Sequence, residues 1–288
     1  KNEYGRKLEI QQDYEGLKLI THMQFYRGIP VVRCWNELKN QGEKTYAVEY
    51  LSSFAFMGLS VGCEQPRDKN AWIYVPHNTW FGEAQWKKYT LNELGYDVVN
   101  TFSMKRISYS KTGSWGCDEF LPMGCYYNTE TDTSMTWEIE TSGSWHWEIS
   151  DIREQLYLQI SGPTFQENGW MINLHPGESF ASVPCAVAMT EGEFQDSIGA
   201  MTQYRRRIRR QNKDNETLPV IFNDYMNCLM GDPTTDVLKP LIDAAKEAGC
   251  EYFCVDCGWY SDGPWGDGGG EGLPSKKRFP GGIEEVIQ

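Results

Sequence analysis

Long apolar runs and positive charge are both scarce in this 288-residue chain. No stretch approaches the roughly 18 consecutive apolar residues that a membrane-spanning helix needs, so we expect no membrane partner. Only 27 Lys and Arg residues face 40 Asp and Glu residues, which gives a formal net charge of -13 at pH 7. A field of that sign repels phosphate backbones. We therefore expect no nucleic-acid partner either.

Histidine is also scarce, and its positions limit the possible chemistry. None of the four histidines lies in the last third of the chain, which argues against a zinc site or a Ser-His-Asp triad there. Nine cysteines, an odd number spread over a long chain, do not resemble the dense framework of a small secreted scaffold. We interpret them as mostly reduced and expect a cytoplasmic location. No metal and no cofactor is expected.

Two local patterns near the end of the chain could suggest other functions. Cys254 and Cys257 form a C-x-x-C pair, but Cys254 lies inside a predicted strand, so the two thiols should point apart and redox chemistry is not expected. The glycine-rich loop at 266–272 matches neither G-x-G-x-x-G nor a P-loop and is interpreted as a mobile rim loop. Its acidic residues leave calcium binding at 261–273 an open question.

Residues 1–195 are typical of an antiparallel β-sandwich, because short segments rich in Tyr, Trp, Thr, Ile and Val alternate with Gly, Asn and Asp turns. The predicted strands are Thr45–Phe54, Trp72–Val75, Ser134–Ile139, Trp145–Ser150 and Gln155–Ile160. The aromatic side chains are expected to form the core. An exposed cluster would instead indicate a sugar-binding platform, and Trp80, Phe81 and Trp86 are the residues to examine.

The hydrophobic period changes after the sandwich. Apolar residues recur at three- and four-residue steps between Glu193 and Gln211, which predicts an amphipathic helix. We assign 196–216 to an interdomain helix and linker. The five arginines of this helix are expected to pair with carboxylates across a domain junction rather than to bind nucleic acid.

Residues 217–288 have the pattern strand, helix, strand. Leu218–Phe222 is a short apolar run, Asp232 and the following Pro233 predict a helix start, and Gly249 is placed to end that helix. Tyr252–Val255 is the second strand. The two strands of such a βαβ unit should be parallel with a right-handed crossover.

Polar and aromatic side chains follow both of these strands. Asp256-Cys257-Gly258-Trp259 comes after the second strand, and Asn223-Asp224-Tyr225-Met226-Asn227 comes after the first. Strand ends at that face gather ligand-contacting groups in βα folds. A carboxylate beside a buried strand needs a partner, so Asp256 either binds a polar ligand or forms a structural ion pair. Aromatic rings beside carboxylates and amides suit a neutral polyhydroxyl ligand.

Several stretches together resemble glycoside hydrolase family 36. They are NLHPGESFASVPCAV, QDSIGAMTQYRRRIRR, PVIFNDYMN, the strand ending VDCGWY, and KKRFPGGIEEV. The resemblance implies a multidomain β plus α/β protein. It would have an N-terminal antiparallel β-supersandwich (1–195), a linker helix (196–216), and the first two βα units of a (β/α)₈ TIM barrel (217–288).

The resemblance also implies an activity, that of a retaining glycoside hydrolase which cleaves terminal α-linked galactose from oligosaccharides through a covalent intermediate. The family's two catalytic aspartates lie on later barrel strands, so they are expected beyond Gln288 and no aspartate of this chain is assigned a catalytic role. This chain, which begins KNEYGRKLEI without an initiating Met, is expected to be an inactive piece of a longer protein. The intact enzyme is expected to be a homo-oligomer.

Substrate binding is the role that the resemblance carries over to this chain. The implied substrate-binding residues are Asp256, Tyr225, Cys257, Trp259 and Asp224. Asp256 matches the first Asp of the family's D-D-G-W motif, which binds galactose hydroxyls, whereas Cys257 replaces the second Asp and Tyr225 replaces a Trp. Because of these replacements, α-N-acetylgalactosaminidase activity on the same scaffold stays an alternative. So do transglycosylation and a non-catalytic carbohydrate-binding role for the sandwich.

Overall fold

The computed structural model describes residues 2–59, 70–96, 102, 104–152 and 155–287. Within them the chain forms two compact units, Lys1–Arg209 and Arg210–Gln288. The first unit is mostly antiparallel sheet, and the second contains a short parallel pair of strands joined by a helix. Among the described helices, none combines the length and the apolar character required to traverse a lipid bilayer.

The strands of the first unit belong to two large sheets and one small one. They are β1 (Gly5–Tyr14), β2 (Leu17–Tyr26), β3 (Ile29–Asn40), β4 (Tyr46–Val48), β5 (Ser52–Phe56), β6 (Ala71–His77), β7 (Gln85–Thr90), β8 (Arg106–Lys111), β9 (Met123–Asn128), β10 (Thr133–Ile139), β11 (Trp145–Ile152), β12 (Gln155–Ser161), β13 (Ile172–Leu174), β14 (Ser179–Ala181) and β15 (Cys185–Glu191). The helices of this unit are α1 (Phe165–Asn168) and α2 (Phe194–Ile208).

The larger sheet has the order β1-β2-β3-β15-β10-β9-β6-β7, with β14 also paired to β3, and the smaller has the order β5-β12-β11-β8. Neighbouring strands in both sheets are antiparallel. β4 pairs with β13 apart from both. The predicted strand at Thr45–Phe54 was therefore wrong as a single element. It divides into β4 and β5 because β4 pairs with β13 whereas β5 pairs with β12, and between them the carbonyl of Glu49 accepts the N–H of Phe165 at 2.8 Å.

The sandwich core lies between the two large sheets, as the alternation of the strands requires. Trp137 of β10 and Trp147 of β11 meet edge to face, with ring centroids 5.0 Å apart. Trp145, which is completely buried, donates its indole N–H to the carbonyl of Gly116. Each fully buried side chain of this size contributes about 1.5–3 kcal/mol to folding. The prediction that most aromatics form the core is confirmed for these tryptophans.

A smaller group of aromatics remains on the surface. Trp80 is 60% exposed and Phe81 is 82% exposed, and the Trp80 ring meets the ring of Trp115, itself 56% exposed, edge to face at 6.1 Å. Trp86 differs, because it is half-buried and its ring lies 4.7 Å from that of Phe194. Of the three residues singled out from the sequence, two are therefore exposed.

Helix α2 packs its apolar side on the larger sheet. Met201 and Tyr204 are buried there, and the Tyr204 ring meets that of Tyr26 at 5.0 Å. Arg205 donates to Glu138 of β10 with Nε and Oε2 2.6 Å apart, so this arginine joins the helix to the sheet of the same unit. Burial raises the pKa of Glu138, and the Arg205 guanidinium opposes that rise.

The elements of the second unit are short. They are α3 (Asp214–Thr217), β16 (Ile221–Asn223), a π-helical turn (Tyr225–Leu229), α4 (Thr235–Glu247), β17 (Tyr252–Cys254), a 3-10 turn (Trp265–Gly268) and α5 (Glu284–Ile287). β16 and β17 are parallel, with Ile221 opposite Tyr252 and Asn223 opposite Cys254. The predicted βαβ unit is confirmed in its order and strand direction.

Two details of that prediction were wrong. The first strand begins at Ile221 rather than Leu218, because Leu218 has φ 49° and donates its N–H to Asp214 at the end of α3. The N-cap position of helix α4 is occupied by Thr234 rather than by Asp232, whose carboxylate instead accepts from Arg278. Gly249 ends the helix as predicted, with φ 87°.

Candidate functional site at the ends of the parallel strands

The site forms where β16 and β17 end side by side. Because the strands are parallel, the residues that follow them meet at one edge of the pair. Asp224 comes directly after β16, and Asp256 follows β17 by two residues. The N–H of Asp224 donates to the carbonyl of Cys254 at 3.2 Å, which extends the strand pairing into the site. The strand register thus brings the two aspartates together.

Hydrogen bonds lock these two aspartates against each other and against Asn223. The N–H of Asp256 donates to Asp224 Oδ1 at 2.9 Å, and Asn223 Nδ2 donates to Asp256 Oδ2 at 2.7 Å. Asn223 also accepts the N–H of Tyr225 through Oδ1 at 2.8 Å, which forms the turn into the π-helical segment. The Asp256 carboxylate is therefore held in one orientation while remaining half-exposed.

The two carboxylates have different environments. Asp224 is only 2% exposed, and burial raises its pKa, against the lowering effect of the N–H of Asp256. Among the described residues, Asp224 Oδ2 has no hydrogen-bond partner. Asp224 therefore holds the backbone of Asp256 through a hydrogen bond from a buried position, and Asp256 is the carboxylate that a ligand can reach.

Aromatic rings stand beside the carboxylates. The half-buried Tyr225 meets Trp265 edge to face, with ring centroids 6.2 Å apart. Trp259 is half-buried, packs against Tyr260 at 5.3 Å and accepts the N–H of Ser275 through its carbonyl. Sequence reasoning missed Trp265, although a tryptophan in an otherwise polar, glycine-rich loop was a usable signal.

Two structural features explain why the third residue of the Asp256-Cys257-Gly258-Trp259 motif is a glycine. Gly258 has φ 91°, and a Cβ on it would lie 2.0 Å from the carbonyl oxygen of Gly231. That oxygen belongs to the segment between the π-helical turn and α4. The close approach of two backbones lets the two strand-end loops pack together, and only glycine permits it.

Arg278 holds the following loop in place and was also missed. Its side chain is 8% exposed, and its guanidinium donates to the carbonyls of Ser261 and Gly263, the latter at 2.7 Å, and to the carboxylate of Asp232. The signal in the sequence was a cation in the KKRFPGG stretch shortly after an acidic loop. One buried guanidinium thereby joins three chain segments.

Two thiols and an acidic loop lie close to the strand-end motif in the sequence. Burial and the nearby Asp256 carboxylate raise the pKa of Cys257, and burial followed by the same carboxylate raises that of Cys254. Both thiols are free and stay protonated at neutral pH. No three His, Cys, Asp or Glu side chains gather into a possible metal site anywhere in the described ranges. In the acidic loop, Asp262 accepts a hydrogen bond from Ser275 Oγ at 2.5 Å.

Comparison with known proteins finds similarity to α-galactosidases. No family model matches the sequence. α-Galactosidase 1 of Pediococcus pentosaceus is 24% identical over 185 residues, which cover 62% of this chain and 24% of that enzyme. α-Galactosidase C of Emericella nidulans is 24% identical over 156 residues, which cover 51% of this chain and 20% of that enzyme. The chain thus matches about a quarter or less of the length of these relatives.

Solved structures match this chain over more of its length than the curated relatives do. The GH36 α-galactosidase AgaA of Geobacillus stearothermophilus superposes with a TM-score of 0.77 at 16% identity, over 98% of this chain and 38% of AgaA. The α-galactosidase of Lactobacillus brevis superposes with a TM-score of 0.75 at 16% identity, over 97% of this chain and 36% of that enzyme. The resemblance to glycoside hydrolase family 36 is confirmed, and the chain has the fold of somewhat more than a third of such an α-galactosidase.

Proposed function

We propose that this chain is the N-terminal part of a retaining α-galactosidase and that its strand-end site binds the terminal galactose of the substrate. The proposal rests mainly on the hydrogen-bonded group of Asn223, Asp224 and Asp256 at the carboxyl ends of two parallel strands. It lies in a fold that superposes on α-galactosidases over nearly the whole chain. Carboxyl ends of barrel strands are where the substrate sites of TIM-barrel enzymes lie.

Each residue of the site has a proposed role. Asp256 accepts hydrogen bonds from sugar hydroxyls, since one of its oxygens is oriented by Asn223 and the carboxylate stays accessible. Asp224 positions Asp256 through the backbone. The rings of Tyr225 and Trp259 cover an apolar face of the sugar, as aromatic faces do for CH-rich surfaces. Cys257 lies beside the bound sugar as a small, neutral thiol.

Neither aspartate is proposed to carry out the chemistry. A retaining mechanism needs a nucleophile and an acid/base whose carboxyl groups are about 5 Å apart on either side of the glycosidic bond. Asp224 is buried beneath the backbone of Asp256, so a sugar cannot lie between the two. We therefore assign the nucleophile and the acid/base to later barrel strands, and we expect the 288-residue chain alone to hydrolyse no α-galactoside.

The exposed apolar side chains of the second unit support the assignment to a larger barrel. Ile221 on β16 is 58% exposed and Tyr252 on β17 is 54% exposed. Parallel strands in α/β proteins are normally covered on both faces. Further strands and helices of a closed barrel would cover these two positions.

Asp256→Asn in the intact enzyme tests this proposal. Loss of a charge-assisted hydrogen bond costs about 1.5–3 kcal/mol, so kcat/KM for a nitrophenyl α-galactoside should fall roughly 10- to 150-fold. Cys257→Ala is the matched control at the neighbouring position and should change kcat/KM much less. If azide restored turnover of Asp256→Ala and gave a glycosyl azide of inverted configuration, Asp256 would be the nucleophile and the proposal would be wrong.

Galactosides are favoured over N-acetylgalactosaminides as the substrate class. AgaA variants of Geobacillus stearothermophilus have been crystallised with stachyose and with raffinose, both α-galactosides. Paired assays with nitrophenyl α-galactoside and nitrophenyl α-N-acetylgalactosaminide on the intact enzyme decide between the two, and a preference for the second substrate would contradict the proposal. A cytoplasmic location and a homo-oligomeric state are proposed for the intact enzyme alongside this activity.

A further inference from the structure

A polar cavity lies on the first unit, against the smaller sheet of the sandwich. Its volume is about 440 Å³, within the range of small-molecule sites. Its floor is formed by Arg106 of β8, by His146 and Glu148 of β11, and by Gln159 of β12. Thr164, the first residues of α1 and the residues before β5 complete its walls.

Strand alternation explains why this floor is polar. Trp147 and Ile149 of β11 face the sandwich core, so His146 and Glu148, which alternate with them, face the opposite side. His146 is 2% exposed and Glu148 is 7% exposed, so the floor is polar and yet buried. A polar floor beneath a concave surface is costly to desolvate unless its groups are paired or meet a ligand or water.

Glu148 is the centre of a hydrogen-bonded network in the floor. It accepts from Arg106 Nε at 2.6 Å, from His146 Nε2 at 3.0 Å and from the Tyr157 hydroxyl at 2.9 Å. Burial acts to raise the pKa of Glu148, but these three hydrogen bonds outweigh burial and lower it to about 2. The carboxylate is therefore ionised at neutral pH and already supplied with donors.

The charge balance of the cavity favours a neutral ligand. Arg106 donates to Glu167 as well as to Glu148, so its positive charge is shared between two carboxylates. Glu49 adds a further acidic side chain to the lining. Among the lining residues that the structure describes, an anion would find no uncommitted guanidinium, and the carboxylates would repel it.

The walls offer an apolar face and amide groups. Phe165, which is 52% exposed, and Tyr50 provide rings, while Gln159 and Gln166 provide amide donors and acceptors. The segment with Phe165 is rigid, because Thr164 Oγ1 accepts the N–H of Glu167 at 3.0 Å and Asn168 Nδ2 donates to the carbonyl of Lys111 at 3.1 Å. A wall that is fixed before binding loses little entropy on binding.

One buried atom in the floor is still without a partner. Among the described residues, His146 Nδ1 makes no hydrogen bond. From these observations together we infer that the cavity beside Arg106, His146 and Phe165 is a binding site for a neutral saccharide. The rings contact the CH-rich face of the sugar, and the amides together with the polar floor contact its hydroxyls.

Binding by the full 288-residue chain tests this inference without any assay of turnover. Isothermal titration calorimetry with galactose, melibiose, raffinose and maltose should detect at least one ligand. Hydrogen exchange should show saccharide-dependent protection of peptides at 49–50 and 159–166. Phe165→Ala should weaken binding about two- to tenfold through the lost ring contact, and adding Gln166→Ala should weaken it further. Both side chains are exposed, so the fold should tolerate their loss.

Two controls separate this site from other surfaces. Phe25→Ala removes a ring that is 43% exposed on the same unit and should leave affinity unchanged. Because the strand-end site is itself proposed to bind galactose, the titrations are repeated in an Asp256→Ala background, where the Phe165-dependent binding should persist, so failure of the proposed galactose site and failure of this inference are distinguishable. The inference is wrong if no saccharide binds in the Asp256→Ala background, if Phe165→Ala and Gln166→Ala bind in that background as the parent chain does, or if binding is lost instead in Trp80→Ala.

Discussion

Replacing Gly258 with alanine should destabilise the strand-end site by far more than an ordinary glycine substitution. Gly258 has φ 91°, a conformation that costs a residue with a Cβ roughly 1–2 kcal/mol. In addition, the new Cβ would lie 2.0 Å from the carbonyl oxygen of Gly231. Backbone at that distance cannot yield by rotating a side chain, so the two loops must separate.

Gly249→Ala is the matched control for this effect. Gly249 has φ 87°, almost the same as Gly258, but nothing lies within 4 Å of the position of its Cβ. It should therefore show the conformational cost alone. Forcing extra atoms into a packed site costs about 1–3 kcal/mol, and that amount is the expected difference between the two variants.

Hydrogen exchange measures this difference locally. Peptides that cover 252–263 and 229–235 should exchange about 5- to 150-fold faster in Gly258→Ala than in Gly249→Ala, the ratio that corresponds to 1–3 kcal/mol of local opening. Peptides at 145–160, in the first unit, should exchange at the native rate in both variants. Equal effects of the two substitutions on 252–263 would refute the claim that the approach of the two backbones makes this glycine necessary.

Two further predictions concern buried carboxylates. Because burial raises the folded-state pKa of Asp224, its stabilising contribution is complete below the unfolded pKa of about 3.9 and is lost as pH rises through the folded value. Asp224→Asn keeps an acceptor for the N–H of Asp256 without the charge, so hydrogen exchange at 252–258 at pH 7 should be no faster than in the native chain. Asp224→Ala removes the acceptor and should lower the local stability by about 1–3 kcal/mol, which makes exchange faster. Faster exchange in Asp224→Asn than in Asp224→Ala would contradict the positioning role. For Glu148, whose pKa falls from 4.5 to about 2, stability is present above pH 4.5 and is lost as pH falls toward 2, on the order of 3 kcal/mol at most. The urea concentration at the midpoint of unfolding should therefore fall as the pH is lowered through that window in the native chain, and it should fall less in Glu148→Gln. If the midpoints of the two proteins changed with pH in parallel, the stabilising role of the network would be refuted.

The sequence contained enough local information to predict the elements but not their long-range partners. Alternation predicted β11 closely, and the three-residue spacing of Met201 and Tyr204 predicted the buried side of α2. In contrast, β15 pairs with β3, about 150 residues earlier in the chain, and nothing in either strand specifies the other. Such pairing depends on which apolar faces fit together once the two sheets form.

The same contrast separates the two proposed binding sites. In a βαβ unit the chain direction alone brings the strand ends together, so Asp224, Tyr225 and Asp256 could be selected from the sequence before any coordinates. No such rule predicts which residues come together in the cavity on the first unit. Its lining comes from β8, β11, β12 and the residues before β5 and α1, which antiparallel pairing places side by side. Within β11, His146 and Glu148 looked like the outer half of an ordinary alternating strand. The position of α1 beside β8 turns the outward side of the sheet into a concave surface, so a site of this kind has to be found from tertiary structure.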